Sequence, residues 1–101
     1  MSKKGTKVFV PNRGTNDYSA AYEYGDLIFC SEGLINRKDI LTMAKTMNDA
    51  MSDAEAEDYI LITSLSSLCG VACGIFAARF HRLNLLIFDS GEYHERTFTI
   101  K

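Results

Sequence analysis

Apolar residues in this chain come in short unbroken runs set apart by polar stretches. Val8-Phe9-Val10 in the segment Lys7 to Val10, Leu27-Ile28-Phe29-Cys30, Tyr59-Ile60-Leu61-Ile62 and the mostly apolar segment Leu83 to Phe88 are four of them. Runs this short, apolar at consecutive positions, read as strands covered on both faces, the habit of parallel sheets. Between the second and third runs, Ile40, Leu41, Met43, Ala44, Met47, Ala50 and Met51 recur at helical spacing, while Lys38, Thr42, Lys45, Asn48 and Asp49 take most of the other side. This spacing predicts an amphipathic helix, with Asn36 as its N-cap and Asp39 at the third helical position near the positive end of the dipole. Ser64, Ser66 and Ser67 offer caps for a second helix reaching about Phe80. Asp17 can cap a short helix through Tyr22 or Tyr24, closed by Gly25. Pro11 stops the first strand, and Asp89-Ser90-Gly91 reads as a hairpin turn. Beyond it, Glu92 to Phe98 alternates polar and aromatic residues, the pattern of an exposed antiparallel edge.

Strands alternating with helices predict an α/β fold: a three-layer domain with a mainly parallel sheet, about four parallel strands plus one antiparallel edge strand, and helices on both faces. A strand order of 2-1-3-4-5 would bury strands 1, 3 and 4 and leave the weaker segments outside. Residues 1–6 are expected to be a disordered N-terminal segment and residues 7–101 a single domain, because one proline, no repeat and no low-complexity tract leave nowhere for a linker. At 101 residues with 47% hydrophobic side chains, the chain can hold a core without metal or disulfide support. Eleven basic against thirteen acidic residues give a net charge of −2, which removes any general attraction for a phosphate backbone, so bulk nucleic acid is not an expected partner. No apolar run approaches the roughly 18 residues of a membrane span, and the start lacks the apolar stretch of a secretory leader. With an odd count of three cysteines, the expectation is a reduced, cytoplasmic protein without a membrane partner.

Open α/β sheets bind ligands beyond the carboxyl ends of their strands, where neighbouring strands send their connections to opposite faces. In the expected order that crevice lies between strands 1 and 3 and is flanked by the loops Pro11 to Asp17 and Thr63 to Ser67. The first loop supplies Asn12, Arg13, Gly14, Thr15, Asp17 and Tyr18. Ser64, Ser66 and Ser67 supply hydroxyls beside the first free amides of a helix, a natural seat for an anion. Arg13 brings the matching charge, Asn12 and Asp17 can hydrogen-bond a sugar or base edge, and Tyr18 can stack on a ring. Arg37, with Glu32 and Asn36 in the loop after the second strand, opens on the same sheet edge and can form a third wall. Each part also has a plainer reading. Asn12-Arg13-Gly14 serves equally as a turn with glycine at positive φ, Ser66 or Ser67 as a helix cap, and any single tyrosine as core. No GxxxxGK[ST] or GxGxxG occurs, so the phosphate site has no P-loop behind it.

Cys69 and Cys73 stand one helical turn apart but lack further ligands and read as core; no metal and no cofactor are expected. Gly70 and Gly74 share a spacing that permits close approach, either to the protein's own sheet or to a second copy. His81 ends the second helix at the edge opposite the crevice, and His94 shares a face of the edge strand with Glu92 and Arg96. No nucleophile and base fall together in a known arrangement, so the reading leans away from an enzyme.

The segments VFVPNRGTNDYS and YGDLIFCSEGLINR in the first half, with DYILITSLSSL and then AR, F, HRLNLLIFDSGEYHERT in the second, resemble a group of small proteins encoded by tailed bacteriophages. The likeness covers most of residues 7 to 98. It implies a protein that works in the host bacterial cytoplasm and binds something of the host's, a regulatory protein or a nucleotide signal used in antiviral defence.

The first expectation is therefore non-catalytic binding of a phosphorylated small molecule, a nucleotide or cyclic nucleotide, in the crevice at the carboxyl edge of the sheet, sequestering a host defence signal. A homo-oligomer, dimer or higher, would join two crevices around a ligand bearing several phosphates. From a different class, the chain reads as an interaction module that binds and inhibits a host bacterial protein through its edge strand or the exposed side of its first long helix. A third reading is a metal-assisted nucleotide phosphoesterase using Asp17 or Glu32.

Overall fold

A computed structural model describes residues 5–14, 17–31, 39–63 and 66–100. Its elements are β1 (Lys7–Val10), a 3-10 helix (Ser19–Glu23), β2 (Asp26–Phe29), α1 (Ile40–Ala50), β3 (Tyr59–Leu61), α2 (Ser66–Phe80), β4 (Arg82–Asp89) and β5 (Glu92–Thr99). The strands form one sheet in the order β2-β1-β3-β4-β5. β1 pairs in parallel with β2 and β3, β3 in parallel with β4, and β4 antiparallel with β5. The fold is thus α/β with a mixed, mostly parallel sheet, in the strand order the sequence predicts.

Alternation along each strand sorts the core into two sets. Phe9, Ile60 and Leu83 face Met43, Met47 and Met51 of α1 and Leu68, Ala72 and Phe76 of α2. Val8, Val10, Tyr59, Leu61 and Leu86 face the opposite way, where they meet Tyr18, Ala21 and Tyr93. Both α-helices therefore share one face. Opposite them lies the 3-10 helix, with Tyr93 of the β4–β5 hairpin packed into the same cluster. The expected cover of helices on both faces is met only to that extent among the described residues, because the short connection from β1 to β2 holds five helical residues and no longer element.

Local chemistry explains most element ends and corrects one. Asp39, not Asn36, is the N-cap of α1: its Oδ1 accepts from the Thr42 amide at 3.1 Å, filling the role of cap rather than third helical residue. Asn36 lies outside the described residues. At the hairpin, Ser90 and Gly91 both take positive φ, 53° and 84°, as a two-residue turn of the primed type requires. Gly70 and Gly74 are exposed, and a Cβ at either would meet nothing within 4 Å, so neither is pressed against the sheet. None of the described helices is long and apolar enough to cross a membrane. The expectation for the N-terminal segment falls, over residues 1–4, outside the described residues.

Gly25 marks a close backbone approach. A Cβ there would sit 2.4 Å from the Thr6 carbonyl oxygen, the atom that accepts from the Asp26 amide at 3.0 Å. Gly25→Ala is expected to cost about 2 kcal/mol of stability by forcing β2 away from β1. Urea unfolding checks this; a variant as stable as the parent would mean that the start of β2 shifts freely.

Candidate functional site

β1 sends its connection to the 3-10 helix on one face, and β3 sends its own to α2 on the other. The boundary between β1 and β3 is therefore the switch point of the sheet. A cleft of about 380 Å³ lies there, lined by Asp17 and Tyr18 from the loop after β1, Leu61, Ile62 and Thr63 from the end of β3, Phe88 from β4 and Tyr93 from β5. A second hollow of about 230 Å³ shares Asp17 and Tyr18 and continues toward β2, where Arg13, Ser19, Tyr22, Leu27 and Phe29 line it.

The loop after β1 is held in place by its own hydrogen bonds. Cys30 donates its amide to Val10, and Arg13 its amide to Ser31 at 2.8 Å, so pairing with the β2 side runs past the end of β1. Asn12 is buried at 7% exposure, its Oδ1 accepting from the Ser31 hydroxyl at 3.0 Å while that hydroxyl also lies 2.7 Å from the Pro11 carbonyl. This continuation carries Arg13 toward β2, where its guanidinium lies 4.7 Å from the centroid of the Phe29 ring. Gly14 is not among the residues at positive φ, so the plainer reading of this stretch as a turn with glycine in that conformation does not hold; its amide donates to the Tyr18 hydroxyl at 3.4 Å. That hydroxyl also reaches the Asn12 carbonyl at 3.5 Å, so Tyr18 clamps the loop.

Tyr18 is accordingly core as well as wall: it is 8% exposed and its ring lies 5.8 Å from that of Phe29. Tyr22 is the exposed tyrosine of the group, at 51%. Asp17 stands in solvent and accepts from the Ser19 amide at 2.9 Å; the Ser19 hydrogen bonds hold its carboxyl below the ordinary carboxylate value. It is thus an ionised acceptor and the one formally charged residue among the described residues lining the larger cleft.

The structure brings Asp17 and Tyr18 together with Thr63, as the topology predicts for the two loops. It places Arg13 in the adjoining hollow and gives Asn12 a tether to Ser31. Ser66 is exposed and Ser67 half-buried at the start of α2, and neither is among the described residues lining either cleft. Thr15, Glu32, Arg37 and Ser64 lie outside the described residues. Below this loop, Cys69 approaches the Thr63 amide at 3.2 Å, and burial pushes the Cys73 thiol up to about 11. Among the described residues, no three His, Cys, Asp or Glu side chains gather as a metal site.

Sequence reasoning missed Phe88 and Tyr93. They face each other across the hairpin register with ring centroids 5.1 Å apart, and Phe88 is 55% exposed on the cleft. The carboxyl-end rule, applied to β4 as it was to β1 and β3, would have found Phe88, the last apolar residue of its strand.

A family model described as phage Pam3 gp32-like protein matches residues 6–100. The chain belongs to that family. This agrees with the likeness to tailed-phage proteins seen in the sequence, and the matched range takes in every strand and helix of the fold as well as both hollows. No curated protein and no solved structure matches the chain. Membership in the phage Pam3 gp32-like family groups the chain with phage proteins.

Proposed function

We propose that the protein binds, without turning it over, a phosphorylated small molecule of the nucleotide class, and that during infection it sequesters a host signal of this kind. The reading is carried by one observation: a hollow of about 380 Å³ at the switch point of the sheet, walled by the aromatic side chains of Tyr18, Phe88 and Tyr93. Its size and largely apolar walls suit a flat ring, and a base stacked on Phe88 would gain apolar contact on an exposed aromatic face. Among the described residues the one charge lining it is the carboxylate of Asp17, so the phosphate belongs outside, toward Arg13 in the adjoining hollow. A ligand with phosphates at both ends would use such clefts from two copies of the chain at once.

Titration calorimetry with a panel of mono-, di- and cyclic nucleotides tests this. Phe88→Ala is expected to weaken binding by about 1 to 3 kcal/mol through lost stacking. Arg13→Ala is expected to weaken it by about 2 kcal/mol through a lost charge-assisted contact. Affinities equal to the parent in both variants would remove the double hollow from the account.

A second reading, capture of a host protein, is favoured by Ile87 and Phe98, 38% and 49% exposed on one face of the hairpin. Strand addition to β5 is restricted, however. The Tyr24 hydroxyl donates to the Tyr93 carbonyl at 3.2 Å and Arg96 to the Glu95 carbonyl at 2.8 Å, which shifts an added strand toward Thr97–Thr99.

A further inference from the structure

Among its described lining residues the larger cleft combines aromatic walls with one carboxylate, and that combination discriminates among bases. An ionised carboxylate accepts hydrogen bonds and donates none, so it pairs best with an edge that presents donors side by side. Guanine offers such an edge, with N1–H and the N2 amino group adjacent. Adenine places its N6 amino group beside the acceptor N1, and cytosine its N4 amino group beside the acceptor N3. Uracil sets its one N3–H between two carbonyls. Against a carboxylate, each of these three brings an acceptor against an acceptor and so forfeits one of the two hydrogen bonds that guanine makes.

Asp17 meets the conditions for such a reader. It lines the hollow together with Tyr18, Thr63, Phe88 and Tyr93. The Ser19 amide, 2.9 Å from Oδ1, anchors the side chain beside the hollow that Asp17 lines. The same bond favours the ionised form at neutral pH.

We infer that the cleft selects guanine, with Asp17 accepting from N1–H and the N2 amino group while the ring stacks on Phe88. This rests on the nucleotide reading of the same cleft and adds the identity of the base. Pairing at the base edge would set specificity, and Arg13 would add affinity common to all nucleotides.

The test is calorimetry with GMP, IMP and AMP on the parent and on Asp17→Asn. The parent should bind GMP at least tenfold more tightly than AMP, with IMP between them because it keeps N1–H and lacks the amino group. Asp17→Asn keeps Oδ1 for the Ser19 amide, and an unchanged melting temperature will confirm that the loop is retained. Its amide presents one acceptor and one donor, the complement of adenine, so the GMP-to-AMP preference should fall by at least tenfold and move toward AMP. Parent protein that binds GMP and AMP equally, or a preference that Asp17→Asn leaves unchanged, overturns the guanine assignment while the nucleotide reading stands. Absence of binding to all three, and to the wider nucleotide panel, overturns both.

Discussion

Replacing Asp58 by alanine is expected to remove about 4 kcal/mol of folding stability, a large part of what a domain of this size possesses. Asp58 is 1% exposed at the amino end of β3. One carboxylate oxygen accepts from the Lys7 amide at 2.9 Å and the other from the Glu55 amide at 2.8 Å, with the Lys7 ammonium 3.3 Å away. Alanine would leave two backbone donors without an acceptor and break a charge pair that ties β1 to β3; each orphaned donor costs about 1 to 3 kcal/mol. Asp58→Asn keeps one acceptor and should lose roughly half as much. Glu55→Gln should be nearly silent, since that carboxylate is 68% exposed and 3.6 Å from Lys7. Urea unfolding followed by circular dichroism ranks the three variants. A loss below about 1 kcal/mol in Asp58→Ala would show that water or a neighbouring group replaces the carboxylate at little cost.

That network also marks the limit of what the sequence discloses. Strand positions, the strand order and the hairpin turn are legible because they depend on local runs of apolar residues and on turn chemistry at Ser90-Gly91. Asn84 is different. It sits inside an apolar run, yet it is 1% exposed, and its amide donates to the carbonyls of Ala56 and Asp58 at 2.7 and 2.8 Å. Only the fold puts those carbonyls beside it, 28 and 26 positions away in the chain. The face each helix covers is equally a long-range outcome, and so is the exposure of Gly70 and Gly74 on a helix that is apolar nearly all round.

The candidate site was legible to a similar depth. Topology located its floor between β1 and β3, and Asp17 and Tyr18 line it as the sequence suggests. The path of the loop was hidden, since the Arg13 amide pairs with Ser31 and turns the side chain toward Phe29. Phe88 and Tyr93 enter only because the hairpin register sets them face to face at the cleft.

Alkaline pH should unfold the protein, and Cys30 should govern the onset. Cys30 is 5% exposed among Phe9, Met43 and Met47, and burial pushes its thiol from an ordinary 9.0 up to about 12. The unfolded chain releases this proton near the ordinary value, whereas the folded chain retains it. Stability tied to Cys30 is thus complete below pH 9 and is lost as pH climbs toward 12, at up to about 1.4 kcal/mol per pH unit. Tyr24 and Tyr93, both raised first by burial, act in the same direction above their ordinary value of 10.0. Urea midpoints under reducing conditions should be level from pH 7.5 to 9 and then fall steeply. Cys30→Ala should start lower, by about 1 to 2 kcal/mol for the cavity it opens, and should fall less steeply between pH 9 and 10, where the tyrosines have yet to contribute. An alkaline slope identical in parent and variant would move the onset to another group, Cys73 first, because its half-buried thiol is the next most displaced.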